Sequence, residues 1–347
     1  MWKQQQFADR GVALAEETPR TAHLSPEVCR ALGGLLPLID EPLLRDVMIH
    51  VRDGTGHLFV DRGSGAERVR GWSVPAVAVD RLAVSLIAAG GRHLDELNPC
   101  ADVRLGDGIR VHAVLGPVAA SGTVVSMRLP GARVASFGEL VAAGLCSADT
   151  AQFLEREISG RRNLLITGGT GSGKTTLLTA LLSLVSERER ILTIEDVAEL
   201  RPEHGHHIAL ESRQPNIEGA GEVSLERLLR EALRMRPDRI VLGECRGAEI
   251  ATLLAALNTG HEGGAGTLHA NSLADVPARL EALGLLAGLP LAALARQVVS
   301  AFHTVVHLTK RDGSYRIEQL GGFRVGAAGG LEVEAKRFVP AALEAAA

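Results

Sequence analysis

Aromatic side chains are nearly missing from this chain. Phe, Trp and Tyr make up 3% of 347 residues, with a single Tyr. A core made from such a chain rests on Leu, Val, Ile and Ala. Cysteine is scarce as well. Cys29, Cys100, Cys146 and Cys245 lie far apart and form no C-x-x-C pair, so neither a zinc site nor a disulfide framework is suggested. Free thiols fit a reducing cytoplasm. An excess of positive charge is also lacking, with 37 Lys and Arg against 41 Asp and Glu and a net charge of −4. A protein dedicated to nucleic acid usually carries a basic footprint. A basic lining inside a ring is the one arrangement this balance leaves open. No long apolar run exists: the longest, 282–295, is interrupted by Gly284, Gly288 and Pro290 and is too short to span a bilayer. Met1-Trp2-Lys3-Gln4-Gln5-Gln6 is polar, with no signal-peptide core. The expectation is a chain that does not cross a membrane by itself, though docking on one stays open. No internal repeat is visible.

What is present is an ordinary globular balance, 46% hydrophobic and 22% charged, over a length that suggests two domains. Residues 1–23 read as a loose, flexible arm and 24–129 as a mixed α/β domain. Ser25-Pro26-Glu27 has the form of a helix start, with Pro at the first helical position. Residues 57–61 read as a strand and 77–89 as a helix. Residues 102–105 and 109–114 form a hairpin pattern around Gly106-Asp107-Gly108, and 123–129 read as a further strand. Pro130-Gly131-Ala132-Arg133 breaks the pattern, so 130–136 are expected to be a linker. Over 137–347, strands at 164–167, 191–195, 207–211, 239–243 and 266–269 alternate with helices such as 225–235 and 248–257. Such alternation argues for a sheet covered by helices. Short terminal strands are expected at 305–308 and 315–318.

The most informative stretch is Gly168-Gly169-Thr170-Gly171-Ser172-Gly173-Lys174-Thr175, between the apolar run 164–167 and the helix-like run that starts at Thr176. It is the full G-x-x-x-x-G-K-[ST] phosphate loop in strand–loop–helix context. Glycines let backbone N–H groups wrap inward, and the helix N-terminus favours phosphate. Lys174 can reach the β- and γ-phosphates, and the Thr175 hydroxyl can sit on Mg²⁺.

Hydrolysis needs more: a carboxylate near Mg²⁺, a group that orients water, and positive charge against the transition state. Arg239-Ile240-Val241-Leu242-Gly243-Glu244 is a short apolar strand ending in an acid, which makes Glu244 a candidate for the metal's water shell. Ile191-Leu192-Thr193-Ile194-Glu195-Asp196 ends in acids too. Glu195 can polarise water, or it can be a cap or a solvated turn residue. His261 and His269 flank a glycine-rich stretch whose spacing is poor for a metal.

Taken in order, Gly168 to Thr175, Thr193-Ile194-Glu195-Asp196, Asp238 to Glu244 and His261 to His269 resemble the phosphate loop, acidic box, second nucleotide motif and histidine box of the type II/IV secretion-system ATPase superfamily. The resemblance runs from about Val28 to Val306. The eight-residue histidine spacing resembles both its tight-adherence (Tad/Flp) pilus-assembly branch and its conjugation-type ATPases, and 210–219 and 230–238 resemble the tight-adherence branch. The missing tetracysteine motif argues against the zinc-carrying branch. The short segment before Val28 implies that the extra helical bundle of some relatives is absent. Glu244-Cys245-Arg246 departs slightly, because a branched aliphatic residue is usual in the middle. The thiol there raises the question of oxidation sensitivity, although buried Cys is usually inert.

The resemblance implies an N-terminal mixed α/β (PAS-like) domain plus a C-terminal RecA-like phosphate-loop NTPase domain, assembled as a homo-hexamer. It implies ATP as substrate and Mg²⁺ as cofactor. Gly168 to Thr176 bind the nucleotide, Thr175 and, through water, Glu244 hold the metal, Glu195 orients water, and His269 senses the γ-phosphate. Arg110 and Arg128 are the best matches to arginines that reach the phosphates, with Arg104 weaker. Arg213, Arg234 and Arg236 look family-like without a divided role. The implied setting is the cytoplasm, peripherally on the inner face of the cell membrane, with a polytopic inner-membrane platform protein of a pilus or secretion system as partner. Stable nucleic-acid binding is not expected. A conjugation-type or helicase-like DNA-handling ATPase is the alternative.

Overall fold

The computed structural model describes residues 19–106, 108–131, 135–213, 220–311 and 313–336. Expectations for 1–18, Asp107, 132–134, 214–219 and 337–347 lie outside these. The chain divides into two compact units, Met1–Arg133 and Val134–Ala347.

The first unit begins with two short helices, α1 (Pro26–Leu32) and α2 (Leu36–Ile39), and carries a longer one, α3 (Ala76–Ala89). Ser25 opens α1 as expected, its Oγ accepting from the Val28 amide with Pro26 in the first turn. Six strands form one antiparallel sheet: β1 (Asp46–Arg52), β2 (Thr55–Asp61), β3 (Ala66–Pro75), β4 (Cys100–Leu105), β5 (Ile109–Val114) and β6 (Val124–Arg128). Their order is β3-β2-β1-β6-β5-β4. Alternate residues of the strands, among them Val47, Ile49, Leu58, Val111 and Val125, pack with Leu32, Leu86 and Ile87 of the helices into one aliphatic core. The other sheet face carries polar side chains, as period-two alternation requires.

The second unit contains α4 (Phe137–Ala142), α5 (Ala148–Ser159), β7 (Leu164–Gly168), α6 (Lys174–Leu182), β8 (Ile191–Glu195), β9 (His207–Glu211), α7 (Leu225–Ala232) and β10 (Arg239–Leu242). After these come α8 (Glu249–Leu257), β11 (Ala265–His269), α9 (Val276–Leu286), α10 (Leu291–Ala301), β12 (Thr304–Arg311), β13 (Ser314–Val325) and β14 (Leu331–Ala335). The strands form one sheet in the order β14-β13-β12-β7-β11-β10-β8-β9. The pairs from β12 to β9 are parallel, and β13 and β14 add antiparallel. Helices cover both faces: α4, α5 and α6 on one, α7 to α10 on the other. β7, β8 and β10 are buried at every position, which is why they read as unbroken apolar runs. This is the mixed α/β and RecA-like architecture implied by the sequence. The terminal strands are longer than the pattern suggests. β13 spans 12 residues and β14 joins it, because Gly321-Gly322 interrupts the alternation without ending the strand. The apolar run 282–295 is two helices broken at Gly288-Leu289-Pro290. Among the described residues no single helix is long and apolar enough to cross a membrane, although the bent pair Leu273–Leu286 and Leu291–Ala301 passes by length and composition together.

Candidate functional site

The parallel register brings the chemistry-bearing residues to one edge of the second unit. His269 at the end of β11 pairs with Gly168 at the end of β7. Leu242 of β10 pairs with Ile194 of β8 and with Gly266 of β11. Glu195, Glu244, His269 and the phosphate loop therefore all sit at or just past the C-terminal ends of adjacent parallel strands, where open α/β sheets bind ligands.

The loop itself depends on glycine. Gly168 has φ +154°, and a Cβ there would fall 2.5 Å from both the Leu308 carbonyl oxygen and Ser172 Oγ, so β12 closes against the loop only because no side chain intervenes. Gly173 has φ +90° and sits at the N-cap of α6. Lys174 Nζ donates to the carbonyl oxygens of Gly168 (3.0 Å) and Gly169 (2.9 Å), folded back on its own loop. Burial pulls its ammonium below the ordinary lysine range, with Glu244 opposing that shift and Arg246 adding to it. Among the described residues the buried Ser172 Oγ has no hydrogen-bond partner, which leaves a hydroxyl donor at the loop. Gly169, Thr170 and Gly171 form its outer turn, and Thr175 and Thr176 stand in the first turn of α6.

Glu195 is 5% exposed. Its Oε1 accepts from the amides of Glu199 (3.1 Å) and Leu200 (3.2 Å), and its Oε2 from Leu200 (3.2 Å). It lies directly against Gly243, where a Cβ would fall 2.5 Å from Glu195 Cγ. The carboxylate is thus fixed beside the end of β10 by backbone donors. Glu244, just beyond, is held by Arg246, whose Nε and Nη2 reach Glu244 Oε2 at 3.0 and 2.5 Å. The same guanidinium reaches Asp196 Oδ2 at 3.5 Å. Glu249 Oε1 anchors this turn by accepting from the amides of Arg246 (2.6 Å) and Gly247 (2.7 Å). The sequence reading missed Arg246 as a site residue; its place two positions after a strand-end acid was the available signal. Cys245 between them is 3% exposed, and burial pushes its thiol well above the ordinary range, which disfavours the reactive thiolate.

Thr175 hydroxyl and Glu244 carboxylate offer the hard oxygen donors that suit Mg²⁺, and the donor set contains no competing soft ligand apart from the buried thiol.

The histidines are separated. His269 stands at the phosphate-loop end of β11, its carbonyl accepting from Arg279 Nε. His261 precedes the opposite end of that strand, its Nδ1 3.2 Å from the Ala256 carbonyl at the end of α8. In the first unit, Arg110 pairs in register with Arg104 on one side and Arg128 on the other, and Arg128 with Asp46. The three arginines form a row across β4, β5 and β6 on the face away from the core. Arg213 Nε donates to the Gly221 carbonyl, Arg234 is an exposed helix-end residue, and Arg236 adopts a left-handed turn.

The model of the family described as "Type II/IV secretion system protein" matches residues 37–319. "Putative conjugal transfer protein Rv3659c" of Mycobacterium tuberculosis is 46% identical over 299 residues, 84% of each chain. "Protein VirB11" of Agrobacterium fabrum is 32% identical over 274 residues, covering 71% of this chain and 78% of that protein. Among solved structures, the Legionella pneumophila ATPase DotB superposes with a TM-score of 0.54 over 87% of this chain and 78% of its own, at 17% identity, a likeness of fold.

Proposed function

This chain belongs to the type II/IV secretion system protein family, and from that premise we propose that it is a Mg²⁺-dependent ATPase powering a membrane-associated pilus-assembly or secretion apparatus. The observation that carries the reading is the convergence of Lys174, Thr175, Glu195, Glu244 and His269 at the ends of parallel strands β7, β8, β10 and β11.

In this mechanism Lys174 leaves the carbonyls of Gly168 and Gly169 for the phosphate oxygens, and the loop amides together with Ser172 Oγ complete the cradle. The Thr175 hydroxyl and, through water, the Glu244 carboxylate would hold Mg²⁺, which would supply charge neutralisation on the phosphates. Glu195, fixed by two amides, orients the attacking water. Water attacks the γ-phosphorus and the bond to the β–γ bridging oxygen breaks, giving ADP, inorganic phosphate and a proton. His269, paired with Gly168, senses the terminal phosphate. Arg110 and Arg128 are assigned to the phosphates on the resemblance alone.

A homo-hexamer, a polytopic platform protein and a peripheral place on the inner face of the membrane complete the proposal, with the tight-adherence branch as its finer form. A conjugation-type motor is the second reading, favoured by the name of the Mycobacterium tuberculosis relative. The overall acidic charge favours the first, since a nucleic-acid motor relies on phosphate-neutralising charge. A cross-linked pull-down from native membranes tests the choice. Recovery of a polytopic platform protein with pilin-like subunits supports the pilus or secretion reading. DNA-processing proteins without a platform protein overturn it in favour of the second.

A further inference from the structure

Tyr315, the only tyrosine of the chain, covers the glycine that opens the phosphate-loop helix. A Cβ placed on Gly173 would fall 3.1 Å from Tyr315 Cδ1 and 3.5 Å from both Cε1 and Cγ. The ring therefore lies along the N-terminus of α6, one residue from Lys174. Its position is set by the β12–β13 hairpin. Leu308 of β12 pairs with Gly168, and Tyr315 of β13 pairs with Lys310, whose Nζ stands 5.3 Å from the ring centroid. Tyr315 is half-buried and Lys310 exposed, so the hairpin presents an aromatic face and a cation at the surface beside the loop.

The side of the loop matters. Glu195, Glu244 and His269 stand on strands reached from β7 through β11, whereas β12 and β13 lie on its other side. A polyphosphate whose terminal phosphate faces those groups extends its α-phosphate and nucleoside away from them, across α6 toward the hairpin. Tyr315 packs on one side against the apolar layer that includes Phe137 and Phe153, and as a half-buried residue it keeps part of its surface open beside the loop.

We propose that Tyr315 is a nucleoside-contacting residue: its ring receives the purine-ribose end of the nucleotide, with Lys310 beside it. This rests on the phosphate loop binding a nucleoside triphosphate. The role differs from that of a mere cover for Gly173, because a cover would affect every ligand of the loop alike.

The test is calorimetric binding of MgATP and of Mg-tripolyphosphate to the full chain, wild type and the variants Tyr315→Phe, Tyr315→Leu and Tyr315→Ala. Tyr315→Leu keeps an apolar cover over Gly173 without an aromatic face, and the thermal midpoint of each variant reports on folding. The expected result is that Leu and Ala weaken MgATP binding on the order of tenfold, the scale of one base–aromatic stack. Tripolyphosphate binding stays at the wild-type value, and Phe restores MgATP. Equal weakening of both ligands, or no change in either, overturns the proposal. Wild-type protein that binds neither ligand overturns the nucleotide reading itself, and this inference with it.

Discussion

Arg246 grips one oxygen of Glu244 with two nitrogens, Nε at 3.0 Å and Nη2 at 2.5 Å, while a third nitrogen stands 3.5 Å from Asp196. Two acids from different strands are thus held by one guanidinium at the strand ends. Replacing Arg246 by Ala removes that hold. Arg246 is exposed and Glu244 half-buried, so the urea midpoint should correspond to about 1 kcal/mol or less of lost stability. Turnover should fall by about 10- to 100-fold, the usual effect of removing a group that orients a metal-site ligand. Parallel unfolding curves and phosphate-release rates check both parts, and unchanged turnover would remove Arg246 from the site.

Glu195 separates charge from acceptor capacity. In Glu195→Ala the amides of Glu199 and Leu200 lose a buried acceptor, which costs about 1–3 kcal/mol. Glu195→Gln keeps an oxygen for them and should unfold near the wild type, yet lose turnover because the charge that polarises water is gone. Turnover of the Gln variant at the wild-type rate would leave Glu195 a purely structural acceptor.

Stability should fall on acidification. Burial is the main cause that lowers the imidazole pKa values of His207, His303 and His307 below 6.5. The unfolded chain then takes up protons near pH 6.5 that the folded chain refuses, so stability is complete above that pH and drops as pH falls below it. His307, 1% exposed and 2.9 Å from Thr167 Oγ1, is the most buried of the three. Urea unfolding at pH 5.5 and 7.5 should show the loss, and a flat profile would contradict it. His307→Gln should reduce the difference.

The cysteines should differ in alkylation. Cys100 is exposed, the Cys146 thiol is pushed up to about 11 by burial, and Cys245 is buried. Mass spectrometry after brief alkylation at neutral pH should find Cys100 modified first and Cys245 untouched. Early modification of Cys245 would show that its end of β10 opens.

The phosphate loop and the strand-end acids were legible in the sequence because fully buried parallel strands read as unbroken apolar runs, each ending at or just before a candidate site residue. The two histidines flank the glycine-rich stretch as the sequence shows and end up apart: β11 places His269 at its phosphate-loop end, and His261 precedes the other end. The edge strand β3 was missed because it is mostly exposed and shows no clean alternation. The contacts of Tyr315 with Gly173 depend on strand order, which single-sequence periodicity does not encode, whereas Arg246 was signalled only by its place two positions after a strand-end acid.

The most direct test is Mg²⁺-dependent phosphate release from ATP by the purified full chain, wild type beside Lys174→Ala. Among the described residues Lys174 donates to two carbonyls of its own loop and to no other group, so its removal should leave the fold intact. The expected result is release by the wild type and a loss of roughly 10²-fold or more in the variant. Equal rates in the two proteins would contradict an ATPase site at this loop.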